Sequence, residues 1–140
     1  MKNQTTDNLN GSAGIPLSPR QIAILTGMGA LLWFLAANLL RILGPMGIFE
    51  GYNRVLLYVL IVPGTLPFAI LVWKIAGLAR DQIALGFAVS TAIATLLDGV
   101  ALAWFPSLYG AAVEDVAACG AAILWGAGVG LVLGFLLNRT

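Results

Sequence analysis

IALGFAVSTAIATLLDGVALAWF, residues 83–105, carries a single ionisable side chain, Asp98, in an otherwise uncharged and mostly apolar run. A bilayer-crossing helix needs about 20 predominantly apolar residues, so this stretch is long enough to span. An acid inside such a span costs about 2.5–3.5 kcal/mol at the bilayer centre, less near the interface, and marks a candidate functional position. Three further stretches qualify as spans: residues 22–40, 55–73 and 116–137. The connections are short, which places neighbouring helices antiparallel. The expected fold is all-α: an integral membrane four-helix bundle, up-down-up-down, with one transmembrane domain over residues 20–140.

Composition agrees, since 60% hydrophobic and 9% charged residues depart far from the roughly 25% charged of soluble domains. A net charge of +1 with no basic stripe gives nothing to neutralise phosphates, so no nucleic-acid partner is expected. The absence of His removes bis-histidine haem ligation, histidine metal sites and histidine acid/base catalysis. Cys119 is solitary, which removes an intrachain disulfide and a C-x-x-C redox pair. No serine sits in a nucleophile motif, and the G-A-G-V-G run at Gly126 to Gly130 lies inside a span rather than between strand and helix. The chain reads as a non-enzyme with no catalytic residues, cofactor or metal.

Residues 1–19 read as a disordered polar cytoplasmic tail. Apolar residues begin only at Ile22 and continue for a full span, the pattern of a retained anchor rather than a cleaved signal. Ser18, Pro19 and Gln21 form an S-x-x-Q helix start. Basic residues prefer the cytoplasm. Lys2, Arg20, Lys74, Arg80 and Arg139 fall on one side, and only Arg41 and Arg54 on the other. Both termini are therefore expected in the cytoplasm, with the connections after Leu40 and Phe105 outside. Tyr52, Trp104 and Tyr109 read as the outer aromatic belt and Trp73 as the inner one.

At 1.5 Å per residue, Asp98 and Asn38 share roughly one depth. Arg41 sits one turn above Asn38, and Arg54 and Tyr58 at the outer start of the second span complete a candidate polar cluster. Two readings of it stand. In one, Asp98 and Arg41 pair and lock two helices together; in the other, Asp98 is the coupling carboxylate of a small ion-coupled transporter or exporter. The second lacks the first-span glutamate that marks the small multidrug exporters.

Gly86, Ser90 and Ala94 precede Asp98 at intervals of four, forming a small-residue face. Ala118, Ala122, Gly126, Gly130 and Gly134 form a longer one on the fourth span. Small residues let membrane helices approach closely, within one bundle or, through the fourth helix, in a homo-oligomer or larger membrane complex. Pro63, Gly64 and Pro67 interrupt the second span, and each proline removes a backbone hydrogen bond, so a kink is expected there.

Leu32-Trp33, Ala36, Arg41 and Gly44 in the first span, Leu57-Tyr58 and Pro63 in the second, Leu97-Asp98 and Phe105-Pro106 in the third, and Leu124-Trp125-Gly126 in the fourth form a scattered pattern over residues 27–136. It resembles a group of small, uncharacterised bacterial four-span membrane proteins. The resemblance implies a bacterial inner-membrane protein with Arg41 and Asp98 among its characteristic positions, and it brings no activity with it. The long polar tail and glycine-rich last span depart from the pattern. The expected function is a structural or accessory membrane component whose one certain partner is the lipid bilayer.

Overall fold

Ser18 and Gln21 cap the first helix reciprocally: the Gln21 N–H donates to Ser18 Oγ at 3.2 Å and the Ser18 N–H to Gln21 Oε1 at 2.8 Å. Pro19 occupies the first helical position, where a missing N–H costs nothing. From that start α1 runs Pro19–Leu43 in the computed structural model, which describes residues 16–138. The expected tail lies outside the described residues as far as residue 15. Three more α-helices follow among the described residues: α2 (Gly51–Ala76), α3 (Ile83–Trp104) and α4 (Val113–Leu137). All four are long and apolar enough to cross a membrane, as a multi-pass membrane protein requires. Three of the helices outrun the apolar stretches by three residues or more at one end or both, because helical hydrogen bonding continues through polar residues such as Arg54 and Lys74 that interrupt the apolar run.

The connections are one 3₁₀ turn each with a few flanking residues, at Gly44–Met46, Arg80–Gln82 and Pro106–Leu108. Gly77 ends α2 in the left-handed region at φ 58°, where a residue with a Cβ would be strained. α2 runs as unbroken helix through Pro63, Gly64 and Pro67, and all three are exposed. The Thr65 hydroxyl donates to the Ile61 carbonyl at 2.7 Å in the same stretch.

α3 is the central element, packed most extensively against α1 and α4, while α2 leans chiefly on α4. The approach of α1 to α3 is close enough that a Cβ on Gly29 would overlap the Ser90 carbonyl oxygen. The small-residue face of α3 is buried throughout, at Gly86, Ser90, Ala94 and Asp98. The face of α4 turns toward its own bundle: a Cβ on Gly134 would come within 2.7 Å of Phe87, on Gly130 within 3.6 Å of Thr91, and on Gly126 within 3.8 Å of Ile61 of α2. On the same face Ala122 is buried and Ala118 half-buried.

At one end, polar side chains tie the helices together. Gln21 Nε2 donates to the Gly77 carbonyl at 3.2 Å and to Gln82 Oε1 at 3.1 Å. The Ala84 N–H donates to Asn138 Oδ1 at 3.0 Å. These bonds gather the start of α1, the end of α2, the start of α3 and the end of α4. Asp98 lies buried toward the opposite end, where Ala37, Leu40, Ala101, Tyr109, Cys119 and Ala122 form a hydrophobic cluster.

Candidate functional site

Asp98 is held at the end of the small-residue face of α3, with only 6% of its surface exposed. What reaches it comes from the connection after α3. Phe105 and Pro106 stop the helix, the 3₁₀ turn Pro106–Leu108 reverses the chain, and the Tyr109 N–H closes on the Pro106 carbonyl at 2.9 Å. The turn drops the Tyr109 ring back into the bundle, where it is 1% exposed. Gly110 keeps the return into α4 tight, since a Cβ there would meet that of Asp115 at 2.6 Å.

The Tyr109 hydroxyl donates to Asp98 Oδ1 at 2.5 Å and accepts from Trp33 Nε1 of α1 at 3.1 Å. Cys119 of α4 donates its thiol to the Tyr109 carbonyl at 3.4 Å. One tyrosine therefore ties α1, α3, α4 and a connection together at a single buried point. Among the described residues no buried side-chain nitrogen or oxygen is left without a partner, as burial of polar groups requires. Burial pushes the Tyr109 phenol above its ordinary range, and donation to the Asp98 carboxyl pushes the same way, against a smaller opposing effect of the Trp33 bond.

Of the residues expected to cluster, Arg41, Asn38, Arg54 and Tyr58 make no side-chain hydrogen bond or ion pair with Asp98 among the described residues. Arg41 is exposed, and among the described residues no ion pair joins it to Asp98; the acid's side-chain partner is Tyr109. Helical phase explains the difference. Gly29, Trp33, Ala37 and Leu40, spaced by four and three, form the inward face of α1; at about 100° per residue Asn38 lies about 145° from the centre of that face and Arg41 about 85°, one turn past Ala37 at its edge. Asn38 is exposed and donates to the Phe34 carbonyl of its own helix at 2.7 Å. Arg54 is exposed at the start of α2. Tyr58 packs at the edge of the cluster that holds Tyr109 and contacts Trp125 of α4: its carbonyl accepts from Trp125 Nε1 at 3.0 Å, and the rings lie 5.7 Å apart at 37°.

Of the cavities that open on the surface, two lie near the ends of α2. One, of about 840 Å³, runs along α2 and α4 from Arg54 past Tyr58 and Trp125 to Pro63. The other, of about 330 Å³, lies at the Ser18 and Gly77 end. Asp98 lines neither. Among the described residues no group of three His, Cys, Asp or Glu is placed to hold a metal ion.

No protein-family model, curated protein or solved structure matches this chain. Its functional reading rests on its own geometry. Four residues of the four-span pattern, Trp33, Tyr58, Asp98 and Trp125, take part in the two tertiary contacts just described. Trp33 and Tyr109 are the members that sequence reasoning did not connect to Asp98. Tyr109 lies eleven residues past the acid, in a connection, where an aromatic reads as an interfacial anchor; Gly110 beside it is the one local sign of a tight re-entry.

Proposed function

We propose that this chain is a structural or accessory component of a bacterial inner membrane, an up-down-up-down bundle with both termini cytoplasmic, in which Asp98 is a packing lock. The observation that carries the reading is the Trp33–Tyr109–Asp98 chain of hydrogen bonds, which spends the buried acid on fastening the connection after α3 to the bundle. Burial of Asp98 away from both surface cavities supports it. The excess of Lys and Arg on the side of the termini supports the orientation, and the four-span pattern supports the bacterial assignment. The alternative, an ion-coupled transporter using Asp98, draws on one observation: among the described residues the carboxyl has no cationic partner, unlike most paired intramembrane acids.

Modification by dicyclohexylcarbodiimide, which attacks accessible protonated carboxyls in apolar surroundings, separates the two. In proteoliposomes at neutral pH, Asp98 of a lock stays unmodified while the chain unfolded in detergent reacts. An adduct on the folded protein that sodium ions or tetraphenylphosphonium suppress would overturn the lock and favour transport. Labelling of Ser107→Cys by an impermeant maleimide from the periplasmic side tests the orientation, and labelling only from the cytoplasmic side would invert it.

A further inference from the structure

Residues 51–56 at the start of α2 are all exposed, and below them the helix stands far enough from its neighbours to leave the 840 Å³ groove. Its walls are apolar: Val59, Val62 and Pro63 on α2, and Trp125 on α4, with Tyr58 stacked against the indole. The indole N–H of that contact is already used, donating to the Tyr58 carbonyl, while the Tyr58 hydroxyl makes no hydrogen bond with any described residue. The one charge is Arg54, at the end of the groove nearest the connection. Its side chain makes no hydrogen bond or ion pair with any described residue.

An apolar trough beneath a single free cation matches a lipid: acyl chain below, anionic headgroup above. The length agrees. Arg54 and Pro63 are nine residues apart, about 14 Å along a helix, against about 15 Å for one leaflet of a 30 Å hydrocarbon core. A second copy is the rival occupant, since an exposed apolar face of α2 continues past Pro63 through Leu66 and Ile70, but the free guanidinium at the end of the groove favours an anionic headgroup over another apolar helix. We propose that the groove binds one acyl chain of an anionic phospholipid, whose phosphate lies on the Arg54 guanidinium. A basic side chain near a membrane surface attracts anionic lipid with a preference of about fivefold, equivalent to about 1 kcal/mol.

The test uses the full chain in phosphatidylcholine nanodiscs doped with phosphatidylglycerol or phosphatidylcholine brominated on the acyl chain, which quenches nearby tryptophan. The share of Trp125 is read by difference from Trp125→Phe. The native protein is expected to reach half-maximal Trp125 quenching at about fivefold lower mole fraction of the brominated phosphatidylglycerol. Arg54→Gln brings the two lipids level, and Val59→Phe, which narrows the trough without adding a tryptophan and leaves the cation, also abolishes the preference. Circular dichroism checks that each variant folds. Equal quenching of the native protein by both lipids overturns the proposal, as does an undiminished preference in Arg54→Gln. Protection of Trp125 from both lipids, together with disulfide-linked dimers of Val59→Cys, would place a second copy in the groove and overturn it as well.

Discussion

Tyr109→Phe deletes one oxygen and breaks two bonds, leaving the Asp98 carboxyl without its side-chain donor and the Trp33 indole without its acceptor. A buried polar group left unpartnered costs about 1–3 kcal/mol, whereas side-chain hydrogen bonds in membrane bundles average about 0.6 and reach about 1.7 kcal/mol. Trp33 is half-buried, so most of the loss falls on Asp98, and a total of about 2 kcal/mol is expected. Asp98→Ala breaks the same bond from the other side and leaves the buried Tyr109 hydroxyl without its acceptor, about 1–3 kcal/mol, but it also removes an acid whose burial cost up to about 3 kcal/mol, which offsets that loss. It should therefore be the milder change, close to neutral. In the Asp98→Ala background, Tyr109→Phe loses only the Trp33 bond, about 0.5 kcal/mol. Reversible unfolding of all four proteins in mixed micelles titrated with dodecyl sulfate, followed by circular dichroism, measures the cycle. Tyr109→Phe costing the same in both backgrounds, to within about 0.5 kcal/mol, would mean that the bond carries no stability and would refute the lock.

Gly29→Ala should cost about 2 kcal/mol or more, because its methyl would overlap the Ser90 carbonyl and push α1 off α3. Gly128→Ala, with nothing within 4 Å of the new methyl, should be neutral or slightly stabilising through helix propensity; thermal unfolding in detergent compares them. Arg41→Gln should change stability by less than about 0.5 kcal/mol and add simply to Asp98→Ala, since the guanidinium is exposed; a coupling energy in the same micelle titration would restore the ion pair. Alkaline titration at the tyrosinate absorbance, native minus Tyr109→Phe, should show Tyr109 ionising above the usual value of about 10. The folded state holds that proton more tightly than the unfolded chain, so the contribution is full below about pH 10 and is lost as pH rises beyond it. A Tyr109 step at or below pH 10 would contradict its burial.

Much of the architecture was legible because the bilayer imposes a length and a polarity on each element. The Ser18–Gln21 cap, the four apolar runs and the small-residue faces of α3 and α4 each follow from a local pattern with a physical cause. The candidate site was half legible. A lone acid announces itself in an apolar span, and the spacing of Gly86, Ser90, Ala94 and Asp98 set which way it points. Its partner did not, because depth was read without phase: Asn38 lies at a suitable height on α1 but on the far side from Trp33, Ala37 and Leu40, and Arg41, one turn past Ala37, falls at the edge of that face and is exposed. The tyrosine was beyond reach of periodicity altogether, since Tyr109 lies in a connection whose 3₁₀ turn decides where its ring goes.

The choice of tyrosine over arginine has an energetic logic. Pairing Asp98 with Arg41 would take a second ion out of water, and the desolvation of two charges can exceed their attraction. Tyr109 brings a donor on a largely apolar ring, which gains from burial nearly everywhere except at its hydroxyl. That hydroxyl is then spent twice, accepting from Trp33 and donating to Asp98, so the bundle encloses three polar side chains with one potential ion among them. The same arrangement frees both basic residues at this end. Arg41 and Arg54 lie exposed at the ends of their helices, where long cationic side chains reach the headgroups without crossing the apolar core. The return of Tyr109 into the bundle thus satisfies the acid from inside the chain without drawing on Arg41, which stays exposed near the end of α1.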